Sequence, residues 1–168
     1  MTASGFVLDW LPRIRRPAPQ RALDVAMGRG RHAIPIARAG FHTFGVDIRF
    51  DAVAEAIAAA RAAHVTLAAW CADLEAHPLP RGRFDLIVVT RYLQRDLFPA
   101  LCEALAPDGV VVYETFTTAQ RSHGVGPTSP DHLLEPGELR ARLAPLDVLF
   151  DEEVQDPEAV ARIVARRS

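Results

Sequence analysis

"LDVAMGRGRHA", residues 23–33, is the stretch whose reading decides the fold. An apolar run carrying a single acid, Asp24, leads straight into Gly28-x-Gly30. Glycine reaches left-handed backbone conformations without steric cost and lets the chain pass close to a ligand. A strand that ends in such a loop and opens a helix cradles nucleotide-like cofactors. The glycines alone suit either a nicotinamide dinucleotide or S-adenosylmethionine. Gly28-x-Gly30-x-x-Ala33 fits the dinucleotide pattern, and Asp47 follows at about the expected 20 residues, where it would bond a ribose hydroxyl.

Outward from this stretch the chain alternates strands and helices. A short helix is expected over residues 5–11, stopped by Pro12. "RALDVAM" (21–27) reads as a buried strand, and residues 31–39 as a helix with Pro35 in its early turns and Gly40 as its stop. "HTFGVDI" (42–48) is a second strand, and residues 50–63 are an alanine-rich, periodic helix. A third strand lies in "VTLAAWCADL" (65–74). A fourth lies in "LPRGRFDLIVVT" (79–90), with an apolar run suited to burial on both faces. A helix over 95–105 and the strand "VVVYETF" (110–116) follow.

This alternation means a parallel sheet with helices on both faces. After a helix in 135–144, "LDVLFDEEV" (146–154) and "AVARIVARR" (159–167) lie too close together for a crossover and form an antiparallel hairpin. The expected fold is α/β: a single Rossmann-like domain over residues 1–168, with a mostly parallel seven-stranded sheet and an antiparallel C-terminal hairpin.

Composition narrows the partners. Hydrophobic residues make up 49% of the 168, enough for a real core. The net charge of -2 leaves no electrostatic footprint for nucleic acid or an anionic membrane. All 19 basic residues are arginine, which weakens any inference from one of them. Cys71 and Cys102 fall in different elements and apolar company, so they read as core residues in a reducing cytoplasm. No secretory leader or membrane-length apolar run is recognised, and no metal-ligand spacing or nucleophile–histidine pair is evident.

Three features favour S-adenosylmethionine over the dinucleotide. Asp24 lies inside the first strand, where a carboxylate helps orient a cofactor bearing a free amino group and a sulfonium. Asp73, with Glu75 as a neighbour that could be confused with it, ends the third strand, where it can accept a hydrogen bond from the amine of an adenine. The chain closes in a hairpin with no second domain for a dehydrogenase substrate site.

With these residues in place, the chain resembles the class I S-adenosylmethionine-dependent methyltransferases. Asp24-Val-Ala-Met-Gly28-Arg-Gly30 is similar to their acidic glycine loop, and "GVDI", "ADLEAHPLP", "RFDLIVV" and "LAPDGVVVYETF" to their later strand motifs. "GRGRHAIPIARAGF", "TRYLQRDLFPAL" and "VYETFT…HLLEPGEL" resemble the small tellurite-resistance-type subfamily. The resemblance implies that Asp24, Ala26, Gly28, Gly30, Asp47, Ile48, Asp73, Leu74 and Thr90 hold S-adenosylmethionine and release S-adenosylhomocysteine. Ala26 replaces a loop glycine, Met27 a residue that is often cysteine, and Arg91 and Gln94 the Asn and His that relatives often carry.

An alanine at position 26 costs little if its φ is negative, and roughly 1 kcal/mol or more if φ is positive. Since the rest of the loop is intact, adaptation is expected. His32 either contacts the carboxylate end of the cofactor or bonds to nearby backbone.

Methyl transfer from a sulfonium needs alignment more than acid–base machinery. The acceptor is therefore expected to be a small molecule, anionic or a soft nucleophile. Arg91, Tyr92, Arg95 and Arg121 are the expected acceptor-binding residues. His123, in the long loop after the fifth predicted parallel strand, and Tyr92 are the candidate catalytic groups. A non-catalytic or decayed cofactor-binding module that acts through a protein partner is the alternative, motivated by Ala26 and the short N-terminal helix. A dinucleotide-binding domain is a lesser one.

Overall fold

The computed structural model describes residues 2–168. Its centre is one seven-stranded sheet in the order β3-β2-β1-β4-β5-β7-β6. The strands are β1 (Arg21–Val25), β2 (His42–Asp47), β3 (Leu67–Cys71), β4 (Phe84–Thr90), β5 (Leu105–Phe116), β6 (Asp147–Val154) and β7 (Val160–Arg166). β1 to β5 are parallel, and β7 pairs antiparallel with both β5 and β6. The expected sheet and hairpin are both present. Among the described residues no helix is long and apolar enough to cross a membrane.

Helices cover both faces because the central strands are apolar on both. Leu23, Val25, Ile87, Val89, Val111 and Tyr113 pack beneath α4 (Phe98–Ala104) and α5 (Glu138–Arg142). Ala22, Leu86, Val88, Val110, Val112 and Val164 pack beneath α1 (Gly5–Ile14) and α2 (Ala33–Arg38). The helix α3 (Phe50–Ala62) lays Val53 and Ala56 on Met27, and Leu67 and Ala69 pack against the same cluster.

Several boundaries differ from expectation. The first helix runs through Pro12 to Ile14, since Val7, Leu11 and Ile14 form one buried stripe and their packing outweighs the lost hydrogen bond. The link between β3 and β4 contains no helix, so the strand–helix alternation lapses there. The helix expected at 95–105 is a 3-10 turn, Arg95–Leu97, followed by α4, and β5 already begins at Leu105. Cys71 is exposed rather than core, because β3 is the sheet edge; Cys102 is buried.

Candidate active site

The strand order reverses between β1 and β4, and in open α/β sheets a ligand crevice forms at the C-terminal edge of that switch point. Both strands end there on a left-handed residue that is not glycine: Ala26 has φ 52° and Arg91 φ 53°. Such conformations cost free energy and cluster at functional sites. The expected adaptation of Ala26 to a relaxed backbone does not occur. The two residues after it are tied to β2, with the Met27 amide donating to Val46 O at 3.0 Å and the Gly28 amide to Asp47 Oδ2 at 2.8 Å. These bonds leave the backbone no other path. Ala26→Gly is therefore expected to raise stability by on the order of 0.5–1 kcal/mol, the left-handed strain relieved less the entropy glycine adds to the unfolded chain. A higher urea midpoint at unchanged slope would register the gain.

Gly28 and Gly30 also have positive φ, 54° and 82°. A methyl group on Gly30 would lie 3.2 Å from Ala56 Cβ, so the loop sits hard against α3.

A cavity of about 390 Å³ opens beside this loop, lined by Ala26, Asp47, Ile48, Asp73, Leu74 and Tyr92 among others. Five of the nine expected cofactor residues thus share one wall. Asp47 takes the Gly28 amide on one oxygen and the Arg49 amide on the other, at 2.9 Å. A carboxylate has about four acceptor positions, so Asp47 keeps capacity for a ligand. Asp73 accepts the Glu75 amide on Oδ1 at 2.9 Å, and its second oxygen has no partner among the described residues. Ile48 is 63% exposed, and so is available as an apolar platform.

Asp24, Gly28, Gly30 and Thr90 are not among the residues that line this cavity. Asp24 is sealed on the α2 face of β1, 1% exposed, and its Oδ2 has no hydrogen-bond partner among the described residues. Burial pushes its carboxyl up to about 7, against the pull of the Ala33 amide and the Arg31 guanidinium. A buried acid with an orphaned oxygen is costly unless something compensates it.

His32 is buried and bonded within the protein. Its Nε2 accepts the Ser4 amide at 2.9 Å, so Nδ1 carries the proton and meets Thr90 Oγ1 at 3.1 Å. Burial, with Arg31 and Arg91 nearby, lowers its pKa to about 4, which keeps the ring neutral. It pins the N-terminal segment to the end of β4.

The expected acceptor residues separate. Tyr92 lines the cavity beside the glycine loop, and its hydroxyl donates to Gln94 Oε1 at 2.6 Å. Arg95 is consumed: it forks onto Glu138 at 2.7 and 3.0 Å and also donates to the carbonyls of Pro130 and Leu133. That ion pair holds the Glu138 carboxyl down at about 2. Arg95 therefore braces the loop before α5. Arg121 donates to Thr128 O within its own loop. His123 ends a 3-10 turn, Thr118–His123, and lines neither cavity. The long loop is anchored through buried Gln120, which accepts the Ala159 amide at 2.7 Å and donates to Val125 O at 2.9 Å.

Arg91 lines a second, polar cavity of about 230 Å³, together with Ser4, Arg31, Glu114, Glu158 and Arg162. Arg91 pairs with Glu158 at 2.5 Å, and Arg162 with Glu114 at 2.5 Å. Arg31 has no carboxylate partner among the described residues, and its single side-chain contact is a 3.4 Å approach to Thr90 Oγ1. Sequence reasoning missed Arg31, Glu114 and Arg162. In a chain where every basic residue is arginine, nothing local sets Arg31 apart.

The model of a methyltransferase domain matches residues 22–109, more than half of the chain. The chain belongs to the methyltransferase domain family. A relative from Geobacillus sp. (strain WCH70), named as a candidate methyltransferase, is 29% identical over 71% of this chain and 51% of its own length. An uncharacterised protein of Mycobacterium tuberculosis is 40% identical over 51% of this chain and 31% of its own. The chain thus spans about half of one of these curated relatives and about a third of the other. Among solved structures, TehB from Haemophilus influenzae shares the fold with a TM-score of 0.80 at 16% identity, over 99% of this chain and 63% of that one.

Proposed function

We propose that this chain transfers the methyl group of S-adenosylmethionine to a small anionic acceptor held beside Arg31. Bound S-adenosylmethionine supplies a methyl group already activated on a positively charged sulfonium. The residues fit that group. Asp47 would hold the ribose, Ile48 and Leu74 the adenine faces, and the free oxygen of Asp73 the adenine amine. Ala26, Gly28 and Gly30 bring the backbone close. Asp24 and Thr90 would lie toward the methionine end, where the Asp24 carboxylate, with one oxygen free of hydrogen bonds among the described residues, would supply compensating negative charge to an ammonium and a sulfonium.

The single observation that carries the acceptor reading is the partly desolvated, unpaired Arg31 guanidinium on the wall of the 230 Å³ cavity. Guanidinium groups hold carboxylates and other oxyanions in a fixed fork. Thiolates and metalloid oxyanions are the acceptors that need the least help from a base. Alignment by the cavity walls supplies most of the rate.

Calorimetry is expected to detect binding of S-adenosylhomocysteine and none of NAD. Turnover of small carboxylates, thiols and metalloid oxyanions is then read by S-adenosylhomocysteine release. Arg31→Gln is expected to raise KM for anionic acceptors by about tenfold, leaving S-adenosylhomocysteine affinity unchanged. Activity confined to neutral acceptors would overturn the anionic assignment. So would a loss of cofactor binding in place of acceptor binding, which would put the cofactor's own carboxylate at Arg31. Cofactor binding with no turnover of any acceptor would return the chain to the non-catalytic alternative.

A further inference from the structure

The second cavity lies over a row of polar residues, next to a row that is apolar on β4, β5 and β7. Thr90 on β4 stands in register with Glu114 on β5, Glu114 with Arg162 on β7, and Arg162 with Glu152 on β6. Two residues back along the same strands, Val88, Val112 and Val164 are part of the core beneath α1. The row therefore marks where the sheet stops serving packing and begins to serve the C-terminal crevice.

Within the row, Arg162 bridges two carboxylates, Glu114 at 2.5 Å and Glu152 at 3.0 Å. The Glu114 side chain is 9% exposed, and only its Oε2 is used in that bridge. Its Oε1 has no hydrogen-bond partner among the described residues. The sealed orphan oxygen of this region is that of Asp24, so Glu114 Oε1 opens onto the cavity that the residue lines. Arg31 lines the same cavity and feels the attraction of Glu114, yet no hydrogen bond joins them. Arg91 and Glu158 are more exposed and pair through a single bond, Arg91 Nη2 to Glu158 Oε2.

Apart from the more exposed Arg91–Glu158 pair, the cavity presents one cation without a carboxylate partner, Arg31, and one well-buried carboxylate with a free oxygen, Glu114, and no hydrogen bond joins the two. A ligand carrying only a carboxylate would satisfy Arg31 and leave Glu114 bare. A ligand carrying only an amine would do the reverse. We propose that the acceptor is a small zwitterion of amino-acid size, whose anionic group is taken by Arg31 and whose ammonium group is taken by Glu114 Oε1. This rests on the acceptor occupying the cavity beside Arg31. The pairing selects among small anions and makes Glu114 the specificity-determining residue of the site.

Three compounds with a common thiol separate the charges: cysteine, 3-mercaptopropionate and cysteamine. Binding of each to protein saturated with S-adenosylhomocysteine, followed by calorimetry, requires no turnover. Cysteine is expected to bind at least about tenfold more tightly than either single-charge thiol. Glu114→Gln is expected to abolish its advantage over 3-mercaptopropionate, leaving affinity for 3-mercaptopropionate and for S-adenosylhomocysteine unchanged. Glutamine keeps an acceptor for Arg162, and intact S-adenosylhomocysteine binding certifies the folded site. Equal binding of cysteine and 3-mercaptopropionate, with both above cysteamine, would overturn the zwitterion while sparing the anionic acceptor. A preference for cysteamine, or binding of none of the three, would overturn both. A Glu114→Gln effect on cysteine and 3-mercaptopropionate alike would remove Glu114 from recognition of the ammonium.

Discussion

Asp47→Ala is expected to weaken binding of S-adenosylhomocysteine by about tenfold to a hundredfold. The carboxylate does two jobs. It presents free acceptor capacity to the cavity it lines, and it ties the Gly28 and Arg49 amides at 2.8 and 2.9 Å. Its removal would delete the charged hydrogen bond proposed to the ribose and also release the glycine loop from the end of β2. Asp47→Asn keeps one acceptor oxygen for an amide and should fall between the wild type and alanine. Calorimetric titration of the three proteins checks the order, with circular dichroism establishing that each is folded. Equal affinity across the series would remove Asp47 from the cofactor site.

Cofactor affinity is expected to rise about tenfold between pH 6 and pH 8, because Asp24 must ionise to compensate the positive groups of the methionine end. In the free protein burial holds this carboxyl up near 7, with Arg31 and the Ala33 amide drawing it down and Asp47 adding to the rise. His32, the other titratable group on this flank, stays neutral across the range, since its own pKa is lowered to about 4. Titrations at pH 7 in buffers of different ionisation enthalpy should report net proton release on binding.

The same group sets a stability slope of opposite sense. A carboxyl raised from 3.8 to about 7 on folding contributes stability that is fully present below about pH 4 and is lost as pH climbs through about 7. Within that window the free protein should lose stability at up to about 1.4 kcal/mol per pH unit. Asp24→Asn is expected to flatten that slope, to stabilise the free protein at pH 8, and to weaken S-adenosylmethionine binding there by about tenfold or more. A flat affinity profile together with an unchanged slope in Asp24→Asn would show that Asp24 is not the titrating group.

The succession of strands along the chain, the glycine loop and the acids that end β2 and follow β3 were legible in the sequence by itself. These signals are local. The apolar runs of β1 and β4 announce burial on both faces, glycine marks the turn, and the short link between β6 and β7 excludes a crossover. Ala26, Asp47, Ile48, Asp73 and Leu74 accordingly meet in one cavity, each being the last residue of its strand or one of the three that follow it.

Other features were decided only by the tertiary structure. The sign of φ at Ala26 depends on amides bonded to a strand some twenty residues on. Arg95 looked like an acceptor residue until Glu138, 43 residues away, took its guanidinium. The second cavity brings together Arg31 from a loop, Glu114 from β5 and Arg162 from β7. Their relation exists only through the register of β4, β5 and β7 across the sheet. Strands and turns follow from neighbours in the chain, whereas a strained φ and the partner of a charge are set by whichever strand packing brings within reach, and no local pattern records that choice.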